Sequence, residues 1–328
     1  MSIPKHLYPI LIITFLSTTF LLSCTFQLNK ESPSNSAPDL IQNPPPENST
    51  PSEQSSTNSL PLTPEAKINL TTSKPQQSSE NKTPPTITAQ QTQKSWYQPT
   101  PHTSWQWQLT GDINTNYQVQ MYDIDLFETT KETITQLHMK GIKVICYFSA
   151  GTYEPYRKDA SLFPKSIIGN ALEDWPDERW LDISQIPTLK PIIISRLDLA
   201  KQKGCDGVEP DNVDGYQNNN GFDLTAVDQQ TYNIFLATEA HKRNLAVGLK
   251  NDLDQIKELE PHFDFAINEQ CFEYDECDQL LPFIKNNKAV FGVEYKLSKN
   301  EFCQEANNLN FDWLKMDYEL DGKRDACR

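Results

Sequence analysis

Residues 204–216 read Gly204-Cys205-Asp206-Gly207-Val208-Glu209-Pro210-Asp211-Asn212-Val213-Asp214-Gly215-Tyr216. Four carboxylates, Asp206, Glu209, Asp211 and Asp214, fall within nine residues. Pro210 has no N–H to give to a sheet, so the strand carrying Val208 is expected to stop there, leaving Asp211 and Asn212 at its tip. Before it, Pro191 to Lys203 has helical spacing and is closed by Gly204; after it, Ala226 to Arg243 is helical again. Helix, short strand, acidic loop, helix is the unit of a parallel β/α protein, in which ligands bind beyond the carboxyl ends of the strands. In an ordinary turn the Asp and Asn would serve only the local backbone. After a strand stopped by proline they are a candidate site.

The same alternation runs outward in both directions. Strands are expected at Trp105 to Leu109, Val119 to Tyr122, Lys143 to Phe148, Gly207 to Glu209, Ala246 to Leu249, Phe265 to Asn268, Ala289 to Val293 and Trp313 to Met316. Helices are expected at Lys131 to Lys140, Pro191 to Lys203, Ala226 to Arg243, Gln255 to Leu259, Cys277 to Asn286 and Lys299 to Asn308. Eight strands interleaved with helices predict a (β/α)₈ TIM barrel as a single domain, with little helix between its first two strands. Tyr153 to Ile186, rich in Trp and Pro, is expected as a long loop over one face.

Polar residues recur where those strands end. Tyr122, Asp123 and Asp125 close the second, Ser149 the third, Asp211 and Asn212 the fourth, with Asp214 just beyond. Lys250 and Asn251 follow the fifth, Glu269 the sixth, Glu294 and Tyr295 the seventh, and Asp317 the eighth. On a barrel these side chains converge on one rim. The rim offers no nucleophilic Ser with a His, no Gly-rich phosphate loop and no His cluster for a metal, so neither cofactor nor metal is expected. Carboxylates dominate it. Two carboxylates flanking a sugar, one protonating the leaving oxygen and one acting as nucleophile or base, are the minimum equipment of a glycosidase, and the acid member must keep its proton near neutral pH. Trp105, Trp107, Trp175 and Trp180 could stack on sugars or fill the core.

The first 24 residues read as an export signal: Lys5, an apolar run from Tyr8 to Leu22, then Leu21-Leu22-Ser23-Cys24. That ending resembles the bacterial lipobox, which predicts a lipidated Cys24 as mature N-terminus and an envelope-anchored protein. Thr25 rather than Asp follows, which in a Gram-negative cell suits the outer membrane. From residue 25 to about 100 the composition changes: 12 of the 23 prolines fall there and none of the 11 glycines. Such chain cannot bury enough apolar surface to order itself and is expected to be a disordered tether. Residues 101–328 are left for the barrel, expected to be monomeric.

The barrel region carries 23 basic and 38 acidic residues. This acidity excludes nucleic acid as a natural partner and suits a neutral or cationic ligand. Cys24 apart, six of the seven cysteines remain, an even number in an exported chain. Cys271 with Cys277 could close a small loop and Cys303 with Cys327 could pin the C-terminus, while Cys146 and Cys205 would lie on neighbouring strands as thiols or as a bridge.

Several longer motifs carry a family resemblance. Trp105-Gln106-Trp107-Gln108-Leu109-Thr110-Gly111, Tyr122-Asp123-Ile124-Asp125, Cys146-Tyr147-Phe148-Ser149-Ala150-Gly151 with Glu154 and Arg157, Trp180-Leu181-Asp182, residues 204–216, Gly248-Leu249-Lys250-Asn251 and Asn268-Glu269-Gln270-Cys271 resemble, in order, glycoside hydrolase family 114. The resemblance spans Trp105 to Tyr318 and implies an endo-α-1,4-polygalactosaminidase on a TIM barrel, acting on galactosamine-rich polysaccharide. It implies Asp211 and Glu269 as the catalytic pair, with Glu209, two residues earlier on the same face of the strand, as the rival to Asp211. Tyr122, Asp123, Asp125, Asp182, Asn212, Asp214, Lys250, Asn251 and Glu294 are then candidate binding residues. Deacetylated galactosamine is cationic, which gives an acidic cleft a purpose. A polysaccharide-binding lipoprotein without catalysis, or a glycosidase for another α-linked sugar, would use the same scaffold.

Overall fold

The computed structural model describes residues 95–328. Eight parallel strands follow one another around a curled sheet in chain order: β1 (Trp105–Gln108), β2 (Met121–Asp125), β3 (Lys143–Ser149), β4 (Gly207–Asp211), β5 (Ala246–Lys250), β6 (Phe265–Glu269), β7 (Val290–Glu294) and β8 (Asp312–Met316). Several, such as β2, β5 and β7, are buried at every position, as expected of parallel strands covered on both faces. The helices are α1 (Lys131–Met139), α2 (Ile186–Lys203), α3 (Ala226–His241), α4 (Ile256–Leu259), α5 (Leu281–Lys285) and α6 (Lys299–Asn308). The expected barrel-like architecture is present.

Alternation along the strands sorts side chains into two layers. Trp105, Trp107, Ile145, Phe265, Ile267, Phe291, Val293 and Leu314 fill the barrel interior. Val144, Cys146, Val208, Val247 and Ala266 face outward onto Ile193, Leu197, Leu236 and Ala240 of the helices. Local signals set the helix ends. Thr225 and Ser298 form capping boxes with Asp228 and Glu301 at the starts of α3 and α6, and Gly204, at φ 97°, closes α2.

Four features depart from the sequence reading. β4 passes through Pro210, which pairs with Phe148 of β3, and ends at Asp211. Asp211 O accepts from the Ala150 N–H, so Pro210 turns its missing N–H toward β5, where the pairing has already stopped at Val208. α2 starts at Ile186, with Pro187 in its first turn, where the missing N–H costs no internal hydrogen bond, and with Pro191 inside it. The Tyr153–Ile186 region is no simple loop: Thr152–Tyr153, Ile168–Ala171 and Arg179–Leu181 form a small antiparallel sheet. Finally, β9 (Arg324–Ala326) adds antiparallel to β8, and the segment before it makes the seam with the first strand: Leu109 N–H donates to Leu320 O at 3.0 Å and Gln106 Nε2 to Gly322 O at 2.7 Å.

Three disulfides brace the domain. Cys146–Cys205 ties β3 to the loop entering β4, Cys271–Cys277 closes the loop after β6, and Cys303–Cys327 fastens α6 to the chain end. Packing reaches back before residue 101: Trp96 stacks on His241 at 4.2 Å and its Nε1 donates to Asp264 Oδ1 at 2.9 Å. Cys24, the export signal and the expected tether as far as residue 94 lie outside the described residues, whereas residues 95–100 are described with the barrel.

Candidate active site

Three neighbouring strands each deliver one charged residue to the same point: β4 Asp211, β5 Lys250 and β6 Glu269. Lys250 Nζ lies 3.0 Å from Asp211 Oδ1, 3.1 Å from Glu269 Oε2 and 3.4 Å from Glu209 Oε1. The lysine is only 2% exposed and sits 5.0 Å from the centre of the Trp107 ring, a cation–π contact. Burial by itself would lower its pKa; Asp211, Glu269 and Glu209 together outweigh burial and hold it well above the ordinary lysine value. The ammonium is therefore fixed in charge and place.

The other carboxylate oxygens are also held. Tyr147 donates its hydroxyl to Asp211 Oδ2 at 3.0 Å, and the Tyr295 hydroxyl donates to Glu269 Oε1. Burial first, then the neighbouring carboxylates, raises both phenols, so each remains a donor. Asn212 Nδ2 adds a longer bond to Asp211 Oδ2 at 3.3 Å. Asn251 Oδ1 accepts from the Glu269 N–H at 3.0 Å. The backbone turns sharply just past each tip, with positive φ at Asn212 (59°), Asn251 (50°) and Gln270 (69°), a conformation in which non-glycine residues concentrate at functional sites. Asn212 presses so close to Gly151 that a Cβ there would overlap the Asn212 carbonyl.

Below this trio lies a second pair. Glu209 is fully buried, accepts from Trp107 Nε1 at 3.2 Å, and is pushed up to about 7, chiefly by burial. Asp123, equally buried, is pushed well above the ordinary carboxyl range by burial and by Glu209. Neither Asp123 oxygen meets a donor among the described residues. A proton held by Asp123 and given to Glu209 satisfies both groups.

The trio opens onto a cleft of about 1160 Å³. Of the residues expected at the site, Asp125, Asp211, Asn212, Asp214, Lys250, Asn251 and Glu269 line it. Asp125 is there as a support: it receives Arg157 through Nη2 at 2.7 Å and Nη1 at 3.1 Å, while the Phe127 and Glu128 N–H groups each donate to its Oδ1 at 2.8 Å. Asp214 is half-buried and pushed up to about 6 by burial and then by Asp211.

Five expected residues do not line the cleft, and their bonds give the reason. Glu209 and Asp123 are sealed beneath it. Tyr122 is buried, donating its hydroxyl to Asn114 O at 2.8 Å. Asp182 accepts from the Ser184 hydroxyl in a local turn at 2.5 Å. Glu294 is buried, accepts from the Phe272 N–H at 2.9 Å and is pushed up to about 7 by burial. Of the four candidate tryptophans, Trp105 and Trp107 fill the barrel, the buried Trp107 and Trp180 each reach the cleft lining, and Trp175 stands 59% exposed on the cleft wall. The wall also holds Tyr147, Glu154, Tyr156, Glu178 and Tyr318. Among the described residues no group of three His, Cys, Asp or Glu side chains is placed to hold a metal ion.

The profile of glycoside-hydrolase family GH114 matches residues 86–328. The chain belongs to glycoside-hydrolase family GH114. Among solved structures, this GH114 chain is similar to Aspergillus fumigatus Ega3, solved as a complex with galactosamine. Identity is 44%, the TM-score is 0.68, and the match covers 70% of this chain and 97% of that one. The glycoside hydrolase domain of PelA from Pseudomonas aeruginosa shares the fold at 11% identity and a TM-score of 0.57, over 68% of this chain and 97% of that one. No curated protein sequence matches. Of the other GH114 cleft residues, Glu154 and Arg157 belong to the motif that begins at Cys146, whereas Tyr156 and Glu178 lie in turns that flank the strands of the small antiparallel sheet and follow no barrel strand.

Proposed function

We propose that this GH114 glycosidase cuts α-1,4-linked galactosamine-rich polysaccharide within the chain, with Asp211 as nucleophile and Glu269 as general acid/base. The observation that carries the reading is the single buried ammonium of Lys250 bridging the two carboxylates. Each lies within 3.1 Å of it, so their nearest oxygens are separated by at most twice that distance. Two carboxylates held on one ammonium lie close together, which favours the ~5–5.5 Å spacing of retaining enzymes over the ~6.5–9.5 Å of inverting ones. Asp211 receives three donors, from Tyr147, Asn212 and Lys250, and Glu269 receives side-chain donors from Tyr295 and Lys250. The larger set of donors fixes the Asp211 carboxylate in place, which suits it to attack the anomeric carbon. Glu269 is then left to protonate the departing oxygen and later to draw a proton from water. Glu209, sealed below, has no surface for substrate and serves as counter-charge to Lys250.

Substrate class rests on charge and on kinship. The cleft exceeds the ~300–1,000 Å³ of ordinary small-ligand sites, as a polymer requires. Its wall is acidic, matching a cationic sugar, and the 44% identical Ega3 was solved with galactosamine. In the same reading the barrel is exported and held to the envelope by a lipidated Cys24 through the Pro-rich linker, and three disulfides suit such an oxidising location. The test is incubation with partly deacetylated poly-galactosamine, chitosan and poly-N-acetylgalactosamine. Oligosaccharides are expected from the first; release only from another polymer would reassign the substrate, and release from none would remove the enzymatic reading.

A further inference from the structure

Beside the catalytic pair, the wall of the cleft carries an acidic corner whose carboxylates outnumber the cations that meet them. Glu178 is half-buried, with Oε2 accepting from the Thr152 hydroxyl at 2.9 Å and Oε1 from the Tyr156 hydroxyl at 3.2 Å. The structure places no cation in ion-pair range of it among the described residues. Glu154 stands next to it, bound through the same Tyr156 hydroxyl at 2.8 Å. Glu154 is 2% exposed and lines the cleft, and its Oε2 has no hydrogen-bond partner among the described residues. Arg157 does not balance this corner, because its guanidinium is shared between Glu154 and Asp125, at 2.8 and 2.7 Å. A buried carboxylate oxygen without a donor, beside an accessible carboxylate held only by neutral hydroxyls, is costly unless a cation arrives.

A platform stands beside it. The turn between the last two strands of the small sheet is closed by the Glu178 N–H donating to Trp175 O at 2.9 Å, so indole and carboxylate leave the same tight turn. Trp175 is 59% exposed, an apolar surface that packs no core. The corner is also connected to the nucleophile's surroundings. Asn212 Nδ2, which bonds Asp211, also reaches Thr152 Oγ1 at 3.4 Å, and Thr152 in turn holds Glu178.

We propose that Trp175 and Glu178, backed by Glu154 and Tyr156, form a subsite for the free ammonium of a 2-amino sugar adjoining the sugar that is cleaved; this rests on the galactosaminidase reading above. The sugar's C–H face lies on the indole while its ammonium, with three donors and no acceptor, bonds Glu178 and the Tyr156 oxygen. An acetamido group carries no charge and only one N–H, so N-acetylated polymer leaves the corner unbalanced. Selection for deacetylated substrate thereby resides in the small sheet, outside the catalytic strands.

The experiment measures binding by calorimetry to the full chain carrying Glu269→Gln, using α-1,4-galactosamine oligosaccharides in deacetylated and fully N-acetylated form. Adding Glu178→Gln is expected to weaken the deacetylated oligosaccharide about tenfold and to shrink its advantage over the acetylated one, since a charge-assisted bond is lost. Trp175→Ala is expected to weaken both in like proportion, because stacking does not sense the amine; being exposed, this position tolerates the change. In the active chain, Glu178→Gln should raise KM while kcat on the same polymer stays within about twofold. Equal weakening of both oligosaccharides by Glu178→Gln, or no weakening, overturns the subsite while the parent chain's activity on poly-galactosamine keeps the functional reading. If the parent chain cuts no galactosamine polymer and binds neither oligosaccharide, the functional reading fails and the subsite with it.

Discussion

Lys250 Nζ lies 3.0 Å from Asp211 Oδ1. The bond sets the charge of the site, because the same buried ammonium also meets Glu269 and Glu209. Lys250→Met keeps the length of the side chain and removes its charge. Hydrolysis is expected to fall by about 10² or more, the scale on which preorganised charge acts. Stability should fall by about 3–5 kcal/mol as buried carboxylates lose their partner. Denaturant titration and kcat together check this; a Met variant with full kcat would remove Lys250 from the mechanism.

The two carboxylates should separate by leaving group. With Glu269→Gln, cleavage of polymer is expected to drop about 10²–10⁴, while an aryl galactosaminide whose leaving group needs no proton still forms the glycosyl-enzyme in a burst. Asp211→Asn should lose both reactions. Proton NMR of the first product should show retention of the α configuration. An initial β product would make Asp211 a base and the enzyme inverting.

Stability should decline from mildly acidic to alkaline pH. Burial pushes Asp252 up to about 8 and Asp312 and Glu294 each up to about 7. In the unfolded chain these groups titrate near 4, so from about pH 4 to 8 the folded state binds protons that the unfolded state does not, and the stability they confer is lost as pH rises through the folded values. Between pH 5 and 9 the Tm is expected to fall on the order of 5 °C. Asp252→Asn, which cannot ionise, should flatten the upper part of that curve; an unchanged slope would show that Asp252 ionises freely in the fold.

Breaking the bridge after β6 should affect stability and activity together. The bridged cysteines Cys271 and Cys277 are six positions apart, and the loop begins two residues after Glu269, where the Cys271 N–H also donates to Asn268 Oδ1 at 3.0 Å. Replacing both cysteines by serine is expected to cost about 2 kcal/mol, with kcat reduced as the Glu269 backbone loosens. Kinetics that stay at the parent level after the stability loss would leave the bridge a purely structural part.

The N-terminal peptide of the protein from its native envelope should begin at Cys24 and carry the mass of acyl chains. Mass spectrometry decides this, and an unmodified terminus elsewhere in the chain would remove the anchor.

The barrel itself was legible along the chain, because strands buried on both faces must be short apolar runs and helices facing them must repeat near 3.6 residues. For the same reason the tips of β4, β5 and β6 could be named, and with them Asp211, Lys250 and Glu269. Depth could not be read. Glu209 and Asp211 share one face of β4, but at ~3.3 Å per residue Glu209 sits about 7 Å lower, sealed by Trp107 and Asp123 from other strands. Tyr122 and Asp182 are held by near neighbours in the chain, Asn114 and Ser184, and Glu294 by the more distant Phe272 N–H, and these bonds turn all three away from the cleft. Sequence spacing determined which face each residue occupies. Only the packing of neighbouring strands and of the small Thr152–Leu181 sheet decided which of them meet water and substrate, because burial and charge pairing depend on residues distant in the chain.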